Sequence, residues 1–217
     1  MCGIVGSFKR KDGFKMYEQN LSRGFYSSSV TAIFKDGVQV IKKLGALEFE
    51  DIPGNAQYYL FHSRGPTVET DEFNWDDNHP FTYGNFMVSH NGIIENADAL
   101  YGGLIGVDSR VVPFLIDQKF RECNNRSDAI RQTLNQLQGT FSLSIFDTAR
   151  KNISIVRHDT TLFYKGAEFS SSNPGSFTEV PQDTIFVIHA TDNQSIYETD
   201  KISLARKPKC FIASSAS

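Results

Sequence analysis

The chain has 217 residues, of which 40% are hydrophobic and 22% charged, a composition typical of a soluble globular protein with a sizeable core. Its net charge of −3 does not indicate binding to nucleic acid or to an anionic membrane surface. No apolar run is long enough to span a bilayer, and no signal peptide is predicted, because charges between Lys9 and Asp12 interrupt the apolar start. We therefore expect a cytoplasmic protein that binds neither nucleic acid nor membrane.

Short apolar runs predict β-strands in the first ninety residues. The first run covers residues 3–8. Residues 31–34 and 38–42 flank Asp36-Gly37, and an Asp-Gly pair between apolar runs predicts a β-hairpin. Two further runs of strand length occupy residues 57–62 and 85–90.

Helical spacing replaces the strand pattern in the middle of the chain. The first predicted helix has Ser109 as its N-cap and Pro113 in its first turn, where a missing N–H matters least. The second has Ser127 as its N-cap and ends at Gly139. Strand patterns then return at residues 140–146, 153–157, 162–164, 167–170, 184–190 and 195–204.

Helices between sets of antiparallel strands indicate an α+β domain rather than a doubly wound parallel sheet. No glycine-rich nucleotide-binding loop is present in the sequence. We expect residues 1–212 to form one domain and residues 213–217, which are small and polar, to be a disordered tail.

The three cysteines, at positions 2, 123 and 210, are odd in number and lack metal-ligand spacing, so neither a disulfide framework nor a metal or other cofactor is expected. Cys2 differs by its position. Removal of Met1 would give it both a thiol and an α-amine with a pKa of roughly 7.7–8.0, a nucleophile and a general base on one residue. On position alone, an inert cysteine remains the alternative.

Two segments carry a family resemblance. Residues 1–6 (MCGIVG) and 89–96 (SHNGIIEN) resemble signature segments of the class II, or N-terminal nucleophile, glutamine amidotransferases. Weaker matches, at Arg23-Gly24, His62-Ser63-Arg64 and Gly139-Thr140-Phe141, extend the resemblance along nearly the whole chain. It implies a four-layer α-β-β-α sandwich of the N-terminal nucleophile hydrolase type, with Cys2 at an edge of the paired sheets.

The resemblance also implies residue roles. Cys2 is the nucleophile, and Asn91 and Gly92 supply hydrogen-bond donors for the oxyanion. Arg64 and Thr67 contact the α-carboxylate of glutamine and Asp108 its α-ammonium group, with Gly92 also at the substrate. From the residues alone, Asn91-Gly92 also fits a turn, Arg64 a surface arginine and Asp108 a helix cap.

The chain departs from the family in the loop after Arg64, where Gly65, Pro66 and Val68 replace Trp, Ala and His. The reaction implied is hydrolysis of the glutamine side-chain amide through a Cys2 thioester. Because 217 residues are consumed by the glutaminase unit, we expect a separate synthase subunit to accept the ammonia. The alternatives are a free-standing glutaminase, another N-terminal nucleophile amidohydrolase, or a non-catalytic relative that senses glutamine.

Overall fold

The computed structural model describes residues 2–65 and 74–190 with their side chains and residues 196–201 as backbone. Two antiparallel β-sheets lie face to face, and helices pack against the outer face of each. The predicted four-layer α-β-β-α sandwich is confirmed. Across these ranges, no helix has both the length and the apolar character needed to cross a membrane.

The elements are named in chain order. The helices are α1 Arg10–Asn20, α2 Ala97–Tyr101, α3 Val111–Cys123 and α4 Arg126–Leu134. The strands are β1 Gly3–Ser7, β2 Ser27–Ile33, β3 Val38–Leu44, β4 Tyr58–Arg64, β5 Phe81–Tyr83, β6 Phe86–Ile94, β7 Gly139–Asp147, β8 Asn152–His158, β9 Phe163–Lys165, β10 Glu168–Ser170, β11 Thr178–Glu179, β12 Thr184–His189 and β13 Ile196–Lys201.

The described strands form one sheet of seven strands and one of six. The first sheet runs β11-β9-β10-β1-β4-β2-β3, and the second runs β13-β12-β8-β7-β6-β5. The β2–β3 hairpin forms around Asp36-Gly37 as predicted, closed by the Phe34 N–H donating to the Gly37 carbonyl at 2.8 Å. β1 lies inside the first sheet, between β10 and β4, and Cys2 directly precedes it.

Three buried apolar clusters separate the four layers. Because strand side chains alternate, β4 feeds two of them: Tyr58 and Leu60 pack between the sheets, while Tyr59 and Phe61 pack toward α1. β1 does the same with Ile4 between the sheets and Val5 toward α1. The third cluster joins the outer face of the second sheet to α2, α3 and α4.

Helix α1 was not apparent from apolar periodicity. Its buried face consists of Gly13, Met16, Tyr17 and Asn20, spaced as neighbours along one side of a helix. Only two of those four residues are large and apolar. A Cβ at Gly13 would lie 2.8 Å from the Phe61 ring, so the small residue allows close packing on β4.

Three predicted helix boundaries are wrong. Asn125, not Ser127, caps α4, because its side-chain oxygen accepts from the Asp128 N–H at 3.2 Å, and α4 ends at Leu134 rather than at Gly139. Ser109 does not cap α3, which begins at Val111 without a side-chain cap after a 3₁₀ turn over Asp108–Arg110. The tail at 213–217 lies outside the described residues.

Candidate active site

Cys2 is fixed through its main chain at the amino end of β1. Its nitrogen donates to Asn91 Oδ1 at 2.9 Å, and its carbonyl oxygen accepts from Arg23 Nε at 2.9 Å. The following residue, Gly3, pairs with Ser63 of β4. A Cβ at Gly3 would lie 2.7 Å from Ser63 Oγ and from Asn20 Cβ, so only glycine fits directly behind the cysteine.

Asn91 reaches Cys2 from the second sheet. It lies within β6, is 2% exposed and pairs with Ser142 of β7, so the alternative of an Asn-Gly turn is excluded. Because its amide oxygen faces the Cys2 nitrogen, its amide nitrogen lies on the opposite branch of the same planar group. The contact with Cys2 therefore does not use the N–H₂ donor of Asn91.

Gly92 has a backbone conformation that requires glycine. Its φ is 137°, and a Cβ at this position would lie 2.0 Å from the carbonyl oxygen of Thr140 on β7. Both the strained φ and the contact with a fixed backbone atom forbid a side chain.

We expect Gly92→Ala to lower the free energy of unfolding by about 3 kcal/mol, because backbone strain and overpacking act together. Urea denaturation measures this change. Gly103→Ala is the matched control, since a Cβ at Gly103 meets nothing within 4 Å and its φ is not in the left-handed region. Equal stability of the two variants would contradict the prediction.

Arg64 is the last residue of β4, and its charge acts on the Cys2 thiol. Its Nη1 donates to the Asp77 carbonyl at 2.9 Å and to Asn78 Oδ1 at 3.2 Å, and the guanidinium lies 5.9 Å from the centre of the Tyr26 ring. These contacts make it a half-buried, anchored cation rather than a free surface arginine.

Asp108 opens the 3₁₀ turn before α3, and its carboxylate points back to β6. Oδ2 accepts from the Ile94 N–H at 2.7 Å, and Oδ1 accepts from the Ser109 N–H at 2.8 Å and from Ser109 Oγ at 3.2 Å. The predicted alternative of a cap for α3 is wrong, because that helix has no side-chain cap.

His90 lies one residue before Asn91 and connects β6 to the same turn. Its Nδ1 is 2.8 Å from Ser109 Oγ and 3.9 Å from Asp108 Oδ2. The His90 carbonyl is also 3.2 Å from Nε2 of His62, whose ring stacks 4.0 Å from that of His79. Three buried histidines thus lie directly behind the predicted oxyanion site.

Opposing effects act on the Cys2 thiol. Burial raises the pKa of Cys2 above its usual value, and the carboxylate of Asp108 acts in the same direction. The Gly65 N–H, which donates to the sulfur, and the charge of Arg64 lower the pKa but do not overcome burial. The thiol is therefore protonated near neutral pH and needs a base when it reacts.

The structure brings Cys2, Asn91, Gly92, Arg64 and Asp108 into one site, whereas Thr67, Pro66 and Val68 lie outside the described residues. Gly65 passes close to Gly24: a Cβ at Gly24 would lie 2.4 Å from the Cα of Gly65, so position 24 is confined to glycine.

Sequence reasoning gave no role to Arg23, whose Nε anchors the Cys2 carbonyl. Its only signal was its place beside Gly24 in the family resemblance. Among the described residues, no group of His, Cys, Asp and Glu is arranged to hold a metal ion.

Known proteins resemble this chain both in sequence and in fold. Glutamine–fructose-6-phosphate aminotransferase from Pyrococcus horikoshii is 27% identical over 212 residues, covering 86% of this chain and 35% of the relative. The Haemophilus influenzae enzyme of the same name is 31% identical over 170 residues, covering 68% and 27%. Glutamine phosphoribosylpyrophosphate amidotransferase from B. subtilis superposes with a TM-score of 0.75 at 17% identity, covering 94% of this chain and 50% of that one. No family model matches the chain.

The chain belongs to the class II glutamine amidotransferases. Sequence similarity to the aminotransferases extends through most of this chain, and the fold is that of the N-terminal nucleophile amidotransferases. The chain spans about a third of the length of the curated aminotransferases that it matches. In this class II amidotransferase, the predicted nucleophile and oxyanion residues come from different sheets, β1 and β6.

Proposed function

We propose that this chain hydrolyses the side-chain amide of L-glutamine to glutamate and ammonia through a thioester at Cys2. One observation supports this function most strongly. The nitrogen of Cys2 donates to Asn91 Oδ1 and its carbonyl oxygen accepts from Arg23 Nε, so the main chain of this residue is fixed on both sides of its side chain.

The first step is attack by Cys2 on the glutamine carbonyl carbon. Removal of Met1 converts the Cys2 nitrogen, which donates to Asn91 Oδ1, into an α-amine on the same residue as the thiol. Because burial keeps that thiol protonated, the amine acts as the general base and later delivers the proton to the departing ammonia. Water then attacks the thioester and releases glutamate.

Charge builds on the carbonyl oxygen during both steps. The Asn91 side-chain N–H₂ and the Gly92 N–H are proposed to donate to this oxyanion. The φ of 137° at Gly92 departs from regular strand geometry, although Gly92 stays in register opposite Phe141 of β7.

Replacing Asn91 with alanine is expected to lower kcat about 10²- to 10³-fold, the usual effect of removing one oxyanion donor. Asn91→Asp is the matched variant, because it keeps an oxygen for the Cys2 nitrogen but loses the N–H₂ donor and adds a negative charge. Steady-state glutamate release measures both. A kcat within fivefold of wild type for either variant would rule out the proposed role.

Recognition of glutamine uses opposite charges on two sides of the site. Arg64 is proposed to contact the α-carboxylate and Asp108 the α-ammonium group, with Thr67 as a further carboxylate contact. The carboxylate of Asp108 accepts three hydrogen bonds, and the guanidinium of Arg64 is anchored through Nη1. Both groups are therefore preorganised to bind glutamine. Preorganisation lowers the cost of binding.

The test combines intact-mass measurement with product analysis. Purified protein should lack Met1 and should release glutamate and ammonia from L-glutamine but not from simple acyl amides. Turnover of acyl amides in preference to glutamine would favour a different N-terminal nucleophile amidohydrolase. Retained Met1 without turnover, but with glutamine binding, would favour a non-catalytic glutamine sensor.

For the fate of the ammonia, we propose a cytoplasmic synthase in a separate subunit. Free ammonia is largely protonated near neutral pH and is then no nucleophile, which favours direct transfer. Affinity purification of the protein from its native cells tests this. An acceptor domain on the same polypeptide, or a protein that is fully active and alone, would contradict a separate subunit.

A further inference from the structure

The segment Asn74–Asn78 lies beside the candidate site and is held by three cations from different elements. Lys42, Arg64 and Arg110 all donate to its backbone carbonyls. The contacts are Lys42 Nζ to the Trp75 and Asn78 carbonyls at 3.0 and 2.6 Å, Arg64 Nη1 to the Asp77 carbonyl at 2.9 Å, and Arg110 Nη2 to the Asp76 carbonyl at 2.6 Å.

Asn78 is the buried end of the 74–78 segment, with 3% of its surface exposed. Its Nδ2 donates to the Asn74 carbonyl at 2.6 Å, which fixes the amide so that Oδ1 faces the other way. Oδ1 accepts from Ser27 Oγ and from Arg64 Nη1, the latter at 3.2 Å. Every polar atom of this side chain is therefore used.

The hydrogen bonds to Asp77 and Asn78 hold Arg64 by one end of its guanidinium group. The two hydrogens of Nη1 are directed to the Asp77 carbonyl and to Asn78 Oδ1. A carboxylate binds arginine best through two parallel bonds along one edge of the planar group. With Nη1 committed, the Nε–Nη2 edge is the fork that a carboxylate can take.

We propose that Asn78 is a positioning residue that sets the plane of Arg64 and thereby determines the affinity for the α-carboxylate of glutamine. This inference rests on the proposed function. The carbonyl of Asp77 alone fixes the position of Nη1 but leaves the guanidinium plane to rotate about that contact. The second acceptor, Asn78 Oδ1, removes this rotation.

Asn78→Ala is expected to raise KM for L-glutamine about tenfold and to change kcat less than twofold, because the reacting atoms are untouched. The comparison substrate is L-glutaminamide, which has a neutral amide in place of the α-carboxylate. Its kcat/KM should be the same for Asn78→Ala and wild type, an outcome that a general loss of packing would not give.

Two further variants sharpen the test. In an Arg64→Ala background, Asn78→Ala should raise KM no further, because residues that act through one another are not additive. Ser27→Ala is the matched control: it removes the other donor to Oδ1 but leaves the Arg64 contact, so KM should stay near the wild-type value. If Asn78→Ala does not fold, Asn78→Leu replaces it: leucine has a similar volume but no acceptor for Arg64, so KM for L-glutamine should rise in the same way.

Each contrary outcome has a distinct meaning. Three outcomes would overturn this inference alone. They are an unchanged KM for L-glutamine in the Asn78 variants while the wild type turns over, an equal loss of kcat/KM with glutaminamide, and additive effects of the Asn78 and Arg64→Ala substitutions on KM. Wild-type protein that neither hydrolyses glutamine nor binds it in calorimetry would overturn the proposed function as well.

Discussion

Replacement of Cys2 by alanine is expected to lower kcat for glutamine hydrolysis by about 10⁴-fold or more. Loss of a catalytic nucleophile has effects of this size because the covalent route is removed, not merely weakened. Release of glutamate from saturating L-glutamine measures the change. Cys2→Ser is expected to fall nearly as far, since its hydroxyl is far less acidic than the thiol and the α-amine cannot activate it well.

Cys123→Ala is the matched control for this prediction. Cys123 is the other cysteine among the described residues, at the end of α3, where its thiol donates to the Asn125 carbonyl at 3.2 Å. Its replacement should leave kcat within about twofold of wild type. If Cys2→Ala and Cys123→Ala lose activity equally, or if Cys2→Ala keeps it, Cys2 is not the nucleophile.

Acidification is expected to destabilise the fold steeply between about pH 6.5 and pH 3, through the buried histidines. His62, His79 and His90 are 2%, 5% and 2% exposed. Burial lowers the pKa of His62 to about 3, lowers that of His79 well below its usual value, and also lowers that of His90.

The unfolded chain binds a proton at each of these histidines below pH 6.5, whereas the folded chain leaves His62 neutral down to about pH 3. Stability is therefore complete above pH 6.5 and is lost as pH falls through this window. Each neutral histidine contributes a slope of about 1.4 kcal/mol per pH unit, so the three together contribute up to about 4 kcal/mol per unit.

His79→Leu isolates one of these contributions. Both ring nitrogens of His79 are buried and have no hydrogen-bond partner among the residues that the structure describes, so an apolar side chain of similar volume should fold well at neutral pH. Urea denaturation from pH 7.5 to 4.5 should show a slope about 1.4 kcal/mol per pH unit smaller than wild type. Parallel curves for the two proteins would mean that His79 does not govern the acid response.

Local signals in the sequence predicted an α+β domain, and the family resemblance supplied its four-layer arrangement. The Asp36-Gly37 hairpin follows from turn chemistry. The side chains of β4 point alternately to its two faces, and both faces are buried. Apolar periodicity did not predict helix α1 for a physical reason: Gly13 and Asn20 occupy two of the four positions of its buried face.

The site was predictable only in part. The family resemblance identified Cys2, Asn91, Arg64 and Asp108, but not the contacts that orient them. Asn78 stands fourteen positions from Arg64 in the sequence. A contact of that separation has no local signature, because it depends on how the chain returns after β4. Likewise, no pattern in the sequence predicts that Ser109 bonds to His90 instead of capping α3.

The interior position of β1 affects how this protein loses activity during heating and storage. Cys2 is attached to a strand with neighbours on both sides, whose five residues are all buried. Fraying, the lowest-cost route of partial opening, is therefore unavailable to the segment that carries the nucleophile. The site disassembles only when one of the two sheets opens, since Asn91 and Gly92 lie on β6 of the second sheet. Heat inactivation and global unfolding should accordingly be one event, and residual activity in a stored sample counts the molecules that are still fully folded.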